Sequence, residues 1–149
     1  MMHKNARGHS REEIIKQVEG KEASVHDYKT YVPVGDAVKK LNNWKRDGAE
    51  ILYLTSRRKA VEVEQIRNVL KKYDFPEGQL LFRQKNEEYK DVCERIIPDV
   101  LVEDDCESIG GTEEMTITHV KPEVKKKIKS IMVKEFAGIN HLPDKVSAL

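Results

Sequence analysis

The sequence predicts an α/β fold, a mostly parallel sheet carrying helices on both faces. Two observations predict it. Short apolar runs of strand length recur along the chain: Ile51-Leu52-Tyr53-Leu54, Leu80-Leu81-Phe82 and Asp99 to Glu103. Between them lie stretches whose apolar residues repeat every three or four positions, the spacing of one helix face. Strands alternating with helices of about ten residues imply parallel pairing, because parallel strands need a helix-length crossover. A continuous apolar run, as opposed to an alternating one, is the pattern of a strand covered on both faces.

The elements follow in order. Ser10-Arg11-Glu12-Glu13 reads as a capping box, and Ile14, Ile15 and Val18 share a face, so a short helix spans about residues 11–19 before Gly20. Residues 21–32 are polar and aromatic without a period, and read as a loop or small lid. From Pro33, the residues Val34, Ala37, Val38, Leu41 and Trp44 recur at helical spacing, and Gly48 sits where that helix stops. The strand Ile51 to Leu54 comes next. Ile66, Val69, Leu70 and Tyr73 mark another helix, closed by Pro76 and Gly78. After the strand Leu80 to Phe82, the stripe Tyr89, Val92, Cys93 and Ile96 predicts a helix stopped by Pro98, and the strand Asp99 to Glu103 follows it. Gly110-Gly111 punctuates, and Met115 to Thr118 reads as a fourth strand. Pro122 opens a last helix with Val124 and Ile128 inward, Ser130 to Val133 reads as a final strand, and the tail beyond Gly138 is irregular. Residues 1–32 thus form an N-terminal helix and cap-like loop, and residues 33–149 the core of a single domain.

Composition bounds the function. The chain has 149 residues, 36% of them charged and 38% apolar, with a net charge of +1. That length buries a real core, and the near-neutral charge supplies no field to recruit nucleic acid, which is not expected as a partner. No apolar stretch nears the ~20 residues of a membrane span, and Met1-Met2-His3-Lys4-Asn5 opens no apolar leader. The expected compartment is the cytoplasm. Cys93 and Cys106, the only cysteines, are too few for a disulfide framework and read as thiols. None of the five histidines pairs with another His or Cys at zinc-ligand spacing. The lysines Lys125-Lys126-Lys127 read as a solvated helix face.

Three polar groups at the ends of apolar runs carry the chemistry. Glu103-Asp104-Asp105 places consecutive carboxylates after a strand. Like charges at close range repel, and Mg²⁺, a hard cation served by one or two carboxylates plus waters, relieves that repulsion. The plain alternative is a solvated acidic turn. Thr55 ends the strand Ile51 to Leu54, where a hydroxyl and neighbouring backbone amides can hold a phosphate oxygen; Ser56 and Arg57 follow, and an arginine fork suits phosphate or carboxylate. The plain alternative there is a helix cap. Lys90 stands near the start of the helix feeding the acidic strand, where an ammonium offsets phosphate charge, or is simply solvated. In open parallel sheets ligands bind beyond the carboxyl ends of the strands, which is where Thr55 and Asp104 fall.

In this order the set resembles the haloacid-dehalogenase-like superfamily of phosphohydrolases, over about Pro33 to Val133. Ile51 to Arg57 is similar to that family's second motif, whose Thr or Ser binds the phosphoryl group. Lys90 is similar to the third-motif lysine, and Asp99 to Asp105 to the fourth motif, whose acids hold Mg²⁺. The resemblance implies a Rossmann-like three-layer sandwich, a small phosphorylated substrate and Mg²⁺-dependent hydrolysis of a phosphate ester. It gives Thr55 and Lys90 catalytic roles, Ser56 and Arg57 substrate contacts, and Asp104 with Asp105 or Glu103 the metal. Substrate selection falls to residues 1–32, especially Arg7, His9, His26 and Tyr28.

One motif is missing. The family's first motif is a central apolar strand ending in Asp-x-Asp, whose first aspartate attacks phosphorus. Before Asp27 the only acids are Glu12, Glu13, Glu19 and Glu22, and no strand leads to any of them; Asp27 itself follows Val25-His26, which is no strand. Three readings account for the gap. The missing strand lies immediately upstream of Met1; or the chain is a non-catalytic phosphate- and metal-binding or protein-interaction module; or the vacant position is filled by Ser130 to Val133 or by a partner subunit, as in a homodimer.

Overall fold

Ser10 opens the first helix by a reciprocal cap. Its hydroxyl accepts the Glu13 N–H (3.3 Å) while the Glu13 carboxylate accepts the Ser10 N–H (2.7 Å), which satisfies two donors that a helix start leaves free. Helix α1 spans Arg11–Glu19 and buries Ile14 and Ile15. The computed structural model describes every residue from Met1 to Leu149. Residues 21–32 are more ordered than an aperiodic sequence suggests. They make two short 3₁₀ turns, Ala23–His26 and Tyr28–Thr30, and Val32 bridges Met2 antiparallel. Tyr28 is buried, so this segment is packed into the body of the protein.

Helix α2 (Ala37–Arg46) ends before Gly48, whose φ of +97° is one that side chains resist. Its Trp44 donates from Nε1 to the Pro143 carbonyl (2.9 Å), and the buried Lys40 binds the Leu142 carbonyl (2.6 Å) and Asp144 (2.7 Å). The irregular tail is thereby pinned to α2. Strand β1 (Leu52–Thr55), helix α3 (Ala60–Lys72) and strand β2 (Gln79–Phe82) make one parallel crossover. Leu52 pairs with Gln79 and Thr55 with Phe82. Gly78 is required there: a Cβ would lie 2.1 Å from the Ile51 carbonyl oxygen.

Helix α4 (Tyr89–Ile96) leads to strand β3 (Val100–Asp104), which pairs in parallel with strand β4 (Lys129–Val133). Ile97 ends α4 at φ +49° before Pro98. The segment Met115 to Thr118 corrects the sequence reading, being no strand. It enters a helical turn, α5 (Thr116–His119), because the Glu103 carboxylate accepts the N–H groups of Thr116 (2.8 Å) and Ile117 (3.0 Å). Met115, Thr116 and Ile117 are all buried, so the apparent alternation carried no one-sided face. Helix α6 (Pro122–Lys125) is one turn, with Pro122 at its start and Val124 half-buried; Ile128 is buried just beyond it.

The fold is mixed α/β with short parallel sheets. Where the pattern predicts one sheet, there are two, β1–β2 and β3–β4, with no ladder between them. The core is divided in the same way. Tyr28, Val63, Ile66, Leu70 and Leu80 form one cluster, and Cys93, Met115, Ile117, Val120 and Ile128 another. All of β1, and β3 up to Glu103, are only half-buried despite their apolar runs. The proposed filling of the vacant position by Ser130 to Val133 is corrected too: β4 pairs with β3 alone.

Candidate functional site

A single cleft of about 1110 Å³ runs along the whole of β1 and the whole of β3. Apolar side chains of both strands, with Val34, Leu41 and Trp44 from the α2 region, line its body. Glu50 and Asp99 line it before the two strands begin, and a second polar group lies at the strands' carboxyl ends. Thr55, Ser56 and Arg57 leave β1 there, and Asp104 and Cys106 leave β3. Tyr89 lines the same cleft, beside Arg83. Burial raises its hydroxyl pKa, while a hydrogen bond from Ser56 and the charges of Arg57 and Arg83 oppose that rise and Cys106 adds to it.

On the β1 side the groups are positively charged and preorganised. The Thr55 hydroxyl accepts the Arg57 N–H (3.3 Å). The Arg57 guanidinium donates to the Ser56 hydroxyl from Nε (3.0 Å) and Nη2 (2.5 Å), and to the Tyr28 hydroxyl from Nη1 (2.6 Å), with its carbon 5.0 Å from the Tyr28 ring centroid. Arg83 lies 5.1 Å from the Tyr89 ring centroid and donates to the Ser56 carbonyl (3.2 Å). These contacts fix a guanidinium that would otherwise be mobile, and fixed cations are worth more to an anion than free ones.

On the β3 side the three acids differ. Both Glu103 oxygens are taken by the start of α5. Asp105 is buried, accepts the Glu135 N–H (3.0 Å) and pairs with Lys134 (2.9 Å). Burial pushes its carboxyl up, but Lys134, the Glu135 N–H and the more distant Arg11 together hold it below the ordinary value. Asp104 is exposed; one oxygen accepts the Cys106 N–H (3.0 Å) and the other has no partner within the protein. Of the acids that the sequence selects for a metal, only Asp104 thus keeps a free oxygen on the rim. One free carboxylate oxygen in contact with water suits Mg²⁺, which keeps several waters. No group of three or more His, Cys, Asp or Glu side chains gathers about one point.

Lys90 stands apart. Its ammonium pairs with Asp91 (2.9 Å) on the outer face of α4 and does not line the cleft. Among the cap residues, Arg7, His9 and His26 are exposed, whereas Tyr28 reaches the site through Arg57. Burial pushes the Cys106 thiol up to about 12, with the Asp104 charge adding to it, so it carries no thiolate to act as a nucleophile. Two rim residues escaped the sequence reading. Tyr89 has the spacing of a core stripe, and Arg83 follows an apolar strand with nothing to distinguish it from the other arginines. Comparison of the chain with protein-family models, curated proteins and solved structures finds no match.

Proposed function

We propose that the chain is a haloacid-dehalogenase-like core that takes a small phosphate ester and Mg²⁺ at the rim shared by β1 and β3. The observation that carries this reading is the meeting of Thr55, Ser56 and Arg57 with Asp104 at one end of one cleft. In it the Thr55 hydroxyl and the Arg57 fork hold phosphoryl oxygens. Asp104 holds the ion by its free oxygen, with waters completing the shell. Bound there, Mg²⁺ would neutralise charge on the transferring phosphoryl group. Lys90 joins only by leaving Asp91, so its role is the weakest part of the assignment. The reading implies a Rossmann-like three-layer sandwich with its ligand beyond the strand ends, and the two parallel pairs support it.

A second reading, a non-catalytic phosphate- and metal-binding module, is favoured by one observation. Within Glu103-Asp104-Asp105 only Asp104 keeps a free oxygen, which the ion would use, so the triplet leaves no carboxylate to attack phosphorus. The test is titration of the pure chain with MgCl₂ and with inorganic phosphate, followed by amide NMR, beside an assay of aryl phosphate hydrolysis. Shifts at Thr55 to Arg57 with phosphate, and at Asp104 with Mg²⁺ that vanish in Asp104→Asn, are the expected result. Turnover by the wild-type chain selects the enzyme over the binding module. An absence of shifts at both strand ends sinks both.

A further inference from the structure

We infer that the ligand of the rim carries a second phosphoryl group, and that Arg58, Arg83 and Lys85 hold this group in a pocket beyond the end of β2, from which the Glu88 carboxylate withdraws. The inference rests on the rim reading for the first phosphate and names the class of substrate, a small bisphosphate.

The first ground is the pocket. It has a volume of about 370 Å³ and is lined by Arg58, Phe82, Arg83, Gln84, Lys85 and Asn86, three of them cations and none an acid. Lys85 is exposed and, unlike Arg58 and Arg83, pairs with no acid. Glu87 does not answer these charges. One of its oxygens accepts the Gln84 N–H (2.9 Å) and the other faces Arg95 (3.4 Å). Cations gathered at one place repel, and an anion among them relieves that repulsion.

The second ground is Glu88. Arg58 Nη2 lies 3.2 Å from one of its carboxylate oxygens and Arg83 Nη1 lies 2.7 Å from the other. Two guanidiniums, one following each strand of the β1–β2 pair, therefore already converge on one anion. Arg83 also donates from Nη2 to the Ser56 carbonyl (3.2 Å) and lies over the Tyr89 ring, so its fork is fixed before a ligand arrives. The Glu88 side chain is 62% exposed and that of Arg58 46%, a setting in which an ion pair contributes little. The carboxylate is thus readily exchanged for a stronger anion. A phosphoryl group is stronger, with close to two charges at neutral pH and three oxygens to share among two forks and an ammonium. Arg83 keeps donor capacity as well, because its buried Nε has no acceptor within the protein.

The third ground joins the pocket to the rim. Arg57 donates to the Ser56 hydroxyl (3.0 Å) and Arg83 to the Ser56 carbonyl (3.2 Å). Arg58 follows Arg57 in the chain. The two anion positions therefore share Ser56 as their border, and one small molecule reaches both. A monophosphate at the rim leaves the second pocket to Glu88.

The test titrates the full chain with propyl phosphate and with the series of terminal bisphosphates from ethanediyl to hexanediyl. NMR follows the amides of Thr55 to Arg57 and the side-chain Nε–H groups of Arg58 and Arg83. The expected result is that at least one bisphosphate binds tenfold or more tightly than propyl phosphate and shifts both sets of signals. Glu88→Gln, which keeps the side chain's size and removes its charge, should strengthen that bisphosphate at least threefold more than it strengthens propyl phosphate. Arg58→Gln should abolish the advantage of the bisphosphate. Lys59→Gln, which removes an equal charge outside the pocket, should keep it, with thermal midpoints confirming that each variant folds. Propyl phosphate bound at Thr55 to Arg57 with no bisphosphate binding more tightly overturns the inference and leaves the rim reading standing. So does an advantage that Arg58→Gln and Lys59→Gln reduce equally, which assigns it to overall charge. An absence of shifts at Thr55 to Arg57 with every compound sinks the rim reading instead, and the two-site ligand with it.

Discussion

At the scale of the residue, the acidic triplet shows how neighbours with the same charge acquire different duties. Asp105 holds the start of the segment after β4 by the Glu135 N–H and Lys134. Its folded-state pKa lies below the ordinary value, so it stabilises the protein above about pH 4 and that stability is lost as the pH falls through the folded pKa. Asp105→Asn keeps the acceptor for Glu135 and should flatten this acid limb in urea midpoints measured from pH 3 to 6. Asp105→Ala leaves the Glu135 N–H unpaired and should cost about 1–3 kcal/mol at pH 7. Cys106 gives a second outcome. With its thiol raised to about 12 and Cys93 raised to about 11, chiefly by burial, both should react with iodoacetamide at pH 8 far more slowly in the folded protein than in urea. Rapid labelling of Cys106 in the native state would contradict the environment described for it.

At the scale of the element, backbone geometry decides what the side-chain pattern only suggests. Gly78 lets β2 begin against the Ile51 carbonyl, and Gly78→Ala should lower stability by about 1–3 kcal/mol through the forced shift. Ile97 is the opposite case. It is a β-branched residue at φ +49°, a conformation that costs non-glycine residues ~1–2 kcal/mol. Ile97→Gly should raise the thermal midpoint, since the relief exceeds the backbone entropy glycine adds by about 0.5–1 kcal/mol. A lowered midpoint would show that the Ile97 side chain contributes more by packing than it costs in strain. The helices α1 to α4 and the four strands were legible because their periodicity matches their burial, although the stripe from Ile66 to Tyr73 marks only the second half of α3, which begins at Ala60. The segment Met115 to Thr118 was not. Its helical turn depends on a carboxylate at Glu103, a long-range hydrogen bond that no local pattern contains.

At the scale of the molecule, a chain long enough for one core carries two. Each parallel pair has its own cluster of buried residues, and the two halves meet along the cleft and where Arg58 and Arg83 reach Glu88 and Tyr89 at the start of α4. Stability should then be uneven. Hydrogen exchange is expected to show β1–β2 and β3–β4 opening with separate free energies, as distinct cooperative units. A single shared opening energy for all four strands would mean that the halves are coupled more tightly than their contacts imply. The candidate site inherits this division, because Thr55, Ser56 and Arg57, proposed to hold phosphate, follow β1, and Asp104, proposed to hold the metal, ends β3. Any change in the gap between the sheets alters the distance from Thr55 to Asp104, so ligand binding at the rim and the stability of the two halves should be linked.

The sequence alone determined the α/β class, the parallel direction of pairing and the polar residues at the strand ends. Those depend on periodicity and chain length between strands, which are local. Tertiary structure alone decided which acids remained free, that Lys90 would turn to Asp91, and that Tyr89 would line the cleft beside Arg83. These follow from which donors lie within hydrogen-bond reach once distant segments meet, and that reach is a property of three-dimensional packing.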